Sequence, residues 1–166
     1  MAYAVTHILV PLIIFSLLRH YVFGKGKMPT YVVLIAGLAG LAPDLDIVLT
    51  WINHFITGSH TNLHGSFTHS FFLPILFGLI GIAFYTGKQI RATYIWCAVA
   101  FGWLTHVLLD VLYRHGIGKA LGWPFTNQMI LTSPWNLYQY GVHIDSVLLV
   151  LWLIHEQFAH QIKDYF

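Results

Sequence analysis

Charged residues are scarce in this chain of 166 residues. Asp, Glu, Lys and Arg make up 8% of it, whereas 57% of the residues are hydrophobic, and the mean hydropathy is +0.69. This composition predicts that most of the chain forms apolar helices in a lipid bilayer. Six acidic residues against eight Lys and Arg give a net charge of only +2. That balance is too weakly basic for a nucleic-acid-binding surface, so we expect no nucleic-acid partner.

Cysteine is also nearly absent, because Cys97 is the only one in the chain. An internal disulfide is therefore excluded. The first apolar run has no basic residues before it and no small-residue cleavage site after it. We interpret this run as a retained membrane span and not as a cleavable signal peptide.

Five apolar segments approach the roughly 20 residues that a helix needs to cross a bilayer. They run approximately over 3–22, 31–52, 69–86, 93–113 and 142–160. We therefore predict an all-α polytopic integral membrane protein, with about five transmembrane helices in one bundle and a single membrane-embedded domain over residues 1–166. The long connection around 114–140 alternates Gly and Pro with large apolar residues. We interpret it as an interfacial loop that lies over the functional site and admits a lipid head group.

The distribution of basic residues orients this bundle. The first loop contains Lys25 and Lys27, the third contains Lys88 and Arg91, and the second, at 53–68, contains no Lys or Arg. Cytoplasmic loops of membrane proteins are enriched in Lys and Arg. We therefore expect the first and third loops at the cytoplasmic face of a cell membrane, and the second and fourth loops at the opposite face.

Seven ionisable residues lie in or against the apolar segments. An Asp at the centre of a membrane helix costs roughly 2.5–3.5 kcal/mol, so such residues are candidates for function. Three carboxylates and four imidazoles are a suitable ligand set for one or two divalent metal ions. Since successive helices alternate in direction, all seven are predicted to meet near the non-cytoplasmic face. These residues are His7, Asp44, Asp46, His64, His69, His106 and Asp110.

Local spacing supports some of these assignments and leaves alternatives open. His106 and Asp110 are four residues apart, so one helix face presents both; the alternative is a hydrogen-bonded pair in a bundle core. Pro43 interrupts a helix, which lets Asp44 and Asp46 converge, although both could instead cap a helix N-terminus.

The remaining histidines depend more strongly on local structure. His64 and His69 converge only if His64 lies in a loop and His69 in the first helical turn. Ser66 and Thr68 are candidate N-caps there. His64 could instead be a solvated loop residue, and His7 could reach towards the membrane interface. At the opposite end of the bundle, we interpret His155, Glu156 and His160 as interface residues.

Electrostatics favours metal ions over an empty cluster. Three ionised Asp side chains in a low-dielectric site need cations or must remain protonated. A bound metal ion with an open coordination position lowers the pKa of its water ligand, which suits hydrolysis. We therefore predict two or more divalent ions, with Zn preferred and Mn or Mg as alternatives. The predicted catalytic residues are Asp46, Asp110 and Asp145, the last as a base beside the ligands.

Together the motifs resemble the YdjM family of membrane-bound metal-dependent hydrolases. The matching pieces are Thr6-His7, Leu41 through Asp46, His64 through Ser70, Thr105-His106 with Asp110, and Gly122 through Thr126. The resemblance implies a helical inner-membrane protein with hydrolase activity. The family's third motif usually reads His-Arg-Gly-x-Thr-His-Ser, whereas Gly65 and Ser66 replace Arg-Gly here. Arg114 or a helix N-terminus would then have to contact a phosphate. A distant similarity to zinc-dependent phospholipase C favours phosphoester chemistry.

The sequence thus predicts a membrane-embedded metal-dependent hydrolase that cleaves a phosphoester of a lipid or lipid-linked substrate. Three alternatives remain open. A divalent metal-ion transporter would be expected to hold its site near the bilayer midplane. A haem-binding protein would use His residues from several helices as axial ligands, but three nearby Asp suit hard cations better. In a structural membrane module, the polar residues would only hold the helices together.

Overall fold

The described parts of the chain fold into helices. The computed structural model describes residues 3–61, 64–65, 67–113, 121–126 and 137–158, and every regular element in these ranges is helical. The predicted all-α membrane fold is therefore confirmed. The α-helices are α1 (Ala4–Leu17), α2 (Thr30–Leu41), α3 (Asp46–Thr57), α4 (Phe72–Thr86), α5 (Ile90–Tyr113) and α6 (Gly141–Phe158).

Shorter helical segments extend or join these helices. A π-helical segment, Leu18–Phe23, continues α1, and a 3₁₀ segment, Ala42–Leu45, joins α2 to α3. Two further 3₁₀ turns, Phe67–His69 and Tyr138–Tyr140, precede α4 and α6. The 3₁₀ segment after α2 contains Pro43, whose missing N–H and steric bulk disfavour continued α-helix there.

Among the described residues, three helical stretches are long and apolar enough to cross a membrane: Ala4–Phe23, Thr30–Thr57 and Ile90–Tyr113. The apolar helix Phe72–Thr86 is shorter. The fifth predicted span corresponds to α6, which carries Asp145 and Glu156 and is not among the three. The total of five spans stays a prediction.

Three predicted segments differ by three or more residues from the structure, and the fourth of the five begins at Ile90 instead of 93. The second extends to Thr57 because helix resumes at Asp46 and ends where Gly58 adopts a left-handed conformation with φ of 68°. The third begins as α-helix only at Phe72, so that His69 lies in the preceding 3₁₀ turn.

Close helix packing positions the functional site. A Cβ atom on Gly40 would lie 2.0 Å from the carbonyl oxygen of His7, and one on Gly102 would lie 2.4 Å from that of Ala36. These glycines let α1 and α5 approach α2 more closely than any side chain would permit, as small residues commonly do in membrane bundles. Farther from the site along these helices, an apolar core includes Phe15, Val32 and Ala98. The contacts fix α1, α2 and α5 at the level of the site.

Candidate metal centre

All seven predicted site residues lie at one end of the bundle. α1 and α4 run away from this end, and α2 and α5 run towards it. His7 lies in the first turns of α1, Asp44 just after α2, and His69 just before α4. His106 and Asp110 lie in the last turns of α5. The alternation of helix directions therefore brings these distant segments together.

Four of these residues direct single atoms at a common point. His69 Nε2 lies 3.2 Å from His106 Nε2. Oδ1 of Asp44 lies 3.5 Å from each of these nitrogens. Oδ2 of Asp110 lies 3.6 Å from His69 Nε2 and 3.8 Å from His106 Nε2. His69, His106 and Asp110 are fully buried, and Asp44 is 17% exposed.

Hydrogen bonding indicates that both converging nitrogens carry lone pairs and not protons. His106 Nδ1 lies 2.7 Å from the carbonyl oxygen of Gly40, which can only accept, so Nδ1 holds the proton. Thr68 donates its hydroxyl to Asp46, so its oxygen accepts from His69 Nδ1 at 2.9 Å. In neutral imidazoles each Nε2 is then an acceptor, and Asp44 Oδ1 has no hydrogen-bond donor in the described part of the chain.

Four acceptor atoms in contact, with no donor between them, repel one another unless a cation lies among them. Zinc–nitrogen and zinc–oxygen bonds are about 2.0–2.2 Å long, so the edges of a tetrahedral site measure about 3.3–3.6 Å. Five of the six edges among these atoms measure 3.2–3.8 Å. The spacing therefore fits a single ion at the centre, and these residues could hold it.

His7 approaches this group from the side of α1. Its Nε2 lies 3.4 Å from Oδ1 of Asp110, the oxygen opposite the one described above. Its ring stacks on His106 with centroids 3.8 Å apart, and neither of its ring nitrogens has a hydrogen-bond partner in the described ranges. Ligand atoms of His7, His106 and Asp110 all lie within 4.8 Å of one another. Asp110 thus faces His7 through Oδ1, and it faces His69 and His106 through Oδ2.

Asp46 occupies a different position from Asp44. Its Oδ2 accepts from Thr68 and from the backbone N–H of Gly65 at 3.1 Å. His64 Nδ1 lies 2.7 Å from its Oδ1, and His69 Nδ1 lies 3.3 Å from its Oδ2. Carboxylates that bond the outer nitrogen of a metal-binding histidine fix its orientation and raise its basicity. The two carboxylates of the Asp44–Asp46 pair therefore contact opposite nitrogens of His69.

His64 forms the solvent-facing side of the cluster. It is 16% exposed, and its ring lies perpendicular to that of His69, with centroids 4.8 Å apart. A ligand atom of His64 lies within 4.8 Å of atoms of Asp44 and His69. A cavity of about 330 Å³ opens beside it and is lined by Ile47, Thr50, Trp51 and His64. Access to the cluster is thus from the side of α3.

Asp145 lies outside the immediate cluster, on α6. It accepts a hydrogen bond from Thr6, the residue before His7. Its predicted role as a base is not tested by this contact, which instead links α6 to the start of α1. Arg114 and Ser66, considered for phosphate contact and helix capping, lie outside the described residues.

Sequence reasoning missed the part played by threonine. Each fully buried histidine of the site is preceded by a buried Thr: Thr6-His7, Thr68-His69 and Thr105-His106. These hydroxyls donate to Asp145, Asp46 and the Gly102 carbonyl respectively. Thr68 is therefore a positioning group and not a helix cap. The threefold repetition of the Thr-His dipeptide was the pattern that could have identified it.

The predicted interfacial loop is described only in part. Within 121–126, Leu121 is buried and its carbonyl accepts from the N–H of Phe71 at 3.0 Å. Trp123 packs against Phe67 and Phe72, and its bond to Pro124 is cis. This part of the loop thus covers the segment that carries His69. The rest of 114–136 lies outside the described residues.

A second polar cluster lies at the opposite end of the bundle. Glu156, interpreted from the sequence as an interface residue, is 1% exposed and accepts from Ser16 at 2.6 Å. Arg19 is also buried and donates from Nε to the carbonyl of Met28 at 3.0 Å. The interface interpretation of Glu156 is therefore wrong, because the side chain turns towards α1 and not towards lipid. His160 lies outside the described residues.

The fold and this geometry define a helical membrane protein with buried His and Asp side chains that could hold a metal ion. The family model of the YdjM inner membrane protein matches residues 1–165, and the chain belongs to this family. That match confirms the resemblance deduced from the motifs and the assignment to an inner membrane. No curated protein and no solved structure matches the chain.

Proposed function

We propose that this protein is a membrane-embedded metal-dependent hydrolase with a dinuclear centre. The observation that carries the proposal is the convergence of four acceptor atoms, from Asp44, His69, His106 and Asp110, at distances that suit tetrahedral ligands of one ion. Asp110 supports a second ion, because its other oxygen faces His7, whose ring nitrogens have no hydrogen-bond partner among the described residues.

The nature of the ligands favours zinc over manganese or magnesium. Imidazole nitrogens suit zinc well, whereas magnesium prefers oxygen ligands in octahedral geometry. A second ion held by His7 and Asp110 would keep open positions, as catalytic metal sites require. Such an ion would lower the pKa of bound water and so supply a nucleophile near neutral pH.

The chain's own residues assist in two ways. Asp46 and Thr68 fix His69 in one tautomer, and the Gly40 carbonyl does the same for His106. His64 lies at the mouth of the cavity, where it can contact a substrate oxygen or exchange a proton with solvent. Asp110 is the proposed catalytic ligand because one of its oxygens faces His7 and the other faces His69 and His106. Asp46 is proposed to act through His69.

A phosphoester of a lipid or lipid-linked molecule is the proposed substrate. The cavity beside His64 mixes a hydroxyl and an imidazole with the apolar side chains of Ile47 and Trp51. α3 also exposes large apolar residues such as Trp51, Phe55 and Ile56, as expected for a helix at a membrane interface. A phosphate head group could therefore reach the metal centre while its chains stay in lipid.

Hydrolysis of bis(p-nitrophenyl) phosphate and of defined phospholipids by zinc-loaded protein tests the proposal. We expect turnover with wild type, loss by at least 100-fold in Asp110→Ala, and full activity in His54→Ala, whose exposed histidine lies outside the cluster. Metal binding without any turnover, combined with zinc uptake into vesicles that contain the protein, would show that the protein is a transporter and not a hydrolase.

We also propose that the site faces away from the cytoplasm, since Lys25, Lys27, Lys88 and Arg91 lie at the other end of the bundle. In a Cys97→Ala background, Thr61→Cys should react with a membrane-impermeant maleimide in intact cells. Reaction only after lysis would place the site at the cytoplasmic face.

A further inference from the structure

The structure contains an apolar cavity far from the His and Asp cluster. It has a volume of about 420 Å³ and lies between α1, α4 and α5 at the end of the bundle that carries the basic loops. Phe15, Phe23, Tyr85 and Phe101 are among its lining residues, and almost all of its surface is apolar.

A second cavity of about 280 Å³ continues the first along α4 and α5. Cys97 and Phe101 line both, and the second cavity reaches Leu104. The lining along α5 thus runs from Ile90 to Leu104, a distance of about 21 Å at 1.5 Å per residue. The two cavities adjoin at Cys97 and Phe101, and together they are called the groove.

The groove is about 21 Å long, and its lining is almost entirely apolar. A single hydrocarbon chain is long and thin and matches the apolar lining. The groove therefore suits a lipid chain.

The surroundings of the groove select the lipid head group. Lys25 and Lys27 lie between the lining residues Phe23 and Met28, whereas Lys88 and Arg91 flank the lining residue Ile90. All four basic side chains are exposed. The acid described at this end, Glu156, is buried and bonded to Ser16. The exposed charge beside the groove is thus positive, which attracts anionic head groups.

We propose that this groove is a binding site for an anionic phospholipid, with one acyl chain along α4 and α5 and its phosphate near Lys88 and Arg91. The site is separate from the metal centre, and lipid bound there is not the proposed substrate.

Native mass spectrometry of the full chain in neutral detergent tests this proposal. Equimolar phosphatidylglycerol and phosphatidylcholine with identical acyl chains compete for the protein. We expect retention of phosphatidylglycerol by wild type, and a fall in its preference of roughly fivefold per removed charge in Lys88→Gln/Arg91→Gln. Equal retention of both lipids by wild type would overturn the proposal.

Two bulky variants test the groove itself. Cys97→Trp fills the junction of the cavities and should abolish lipid retention, whereas Val150→Trp adds the same bulk to an exposed face of α6 and should not. Undiminished retention in Cys97→Trp would refute the groove as the site.

Because Cys97 is the only cysteine, its alkylation by N-ethylmaleimide in wild type provides a measurement without substitution. Phosphatidylglycerol should slow the reaction, and phosphatidylcholine should not; equal rates would count against the proposal. A variant with an altered metal centre, His106→Ala/Asp110→Ala, should bind the lipid as wild type does. Loss of lipid in that variant would contradict the separation of the two sites.

Discussion

Replacing Asp46 with Asn separates a positioning role from a ligand role. The carboxylate accepts from Gly65 N–H and Thr68, and it contacts His64 and His69. An amide has one acceptor oxygen, and its NH₂ group would face a donor. His69 would then lose the contacts that fix its tautomer and orientation.

Outer partners of metal-binding histidines typically contribute 10- to 100-fold to metal affinity, or about 1.4–2.8 kcal/mol. Because Asp46 contacts both His64 and His69, we expect Asp46→Asn to weaken zinc affinity by an amount near the upper end of that range. The number of ions bound at saturation should not change.

Competition with a chromogenic zinc chelator gives the affinity, and elemental analysis at saturating zinc gives the stoichiometry. Thr50→Val is a matched control, because Thr50 donates to the backbone carbonyl of Asp46 and not to its carboxylate. Loss of one equivalent of zinc in Asp46→Asn would show that Asp46 is a ligand. Unchanged affinity and stoichiometry would refute both roles.

Three other predictions concern folding and stability. Gly40→Ala should destabilise the protein by more than the roughly 1–3 kcal/mol usual for overpacking, because the new Cβ would lie 2.0 Å from the His7 carbonyl oxygen. Gly78→Ala is the control, because its new Cβ would meet nothing within 4 Å. Equal thermal stability of the two variants would contradict the packing. Removal of metal by a chelator should lower thermal stability, by about 2.7 kcal/mol if zinc was present at 100 times its dissociation constant, and a metal-independent melting curve would argue against a bound ion. Glu156→Ala should cost about 1–3 kcal/mol by leaving the buried Ser16 hydroxyl unpaired, while the metal content stays unchanged; a fall in metal content would link the two ends of the bundle.

Much of the arrangement of the site could be predicted because membrane helices impose a simple geometry. Alternating directions require the start of α1 and the ends of α2 and α5 to share one face. His7, Asp44 and His106 therefore had to lie at similar depths. The break in the helix at Pro43 was also predictable, because proline lacks a backbone N–H.

Other features depend on tertiary contacts that spacing does not determine. Asp44 and Asp46 are two residues apart, and only the conformation of the 3₁₀ segment decides which faces the converging nitrogens and which faces Thr68. Glu156 lies near the end of a helix, where long side chains often reach the interface, yet a hydroxyl on α1 holds it inside. Whether a polar residue finds such a partner cannot be read from its own segment.

The most direct test of the metal centre is elemental analysis of detergent-purified protein. Wild type should contain one or two equivalents of zinc, and a folded His106→Ala/Asp110→Ala variant should contain none. The control His54→Ala/His60→Ala removes a neighbouring pair of imidazoles outside the cluster, with ring centroids 4.5 Å apart, and should keep the wild-type content. Absence of metal from wild type after reconstitution with zinc, manganese or magnesium, or equal content in all three proteins, would contradict the account.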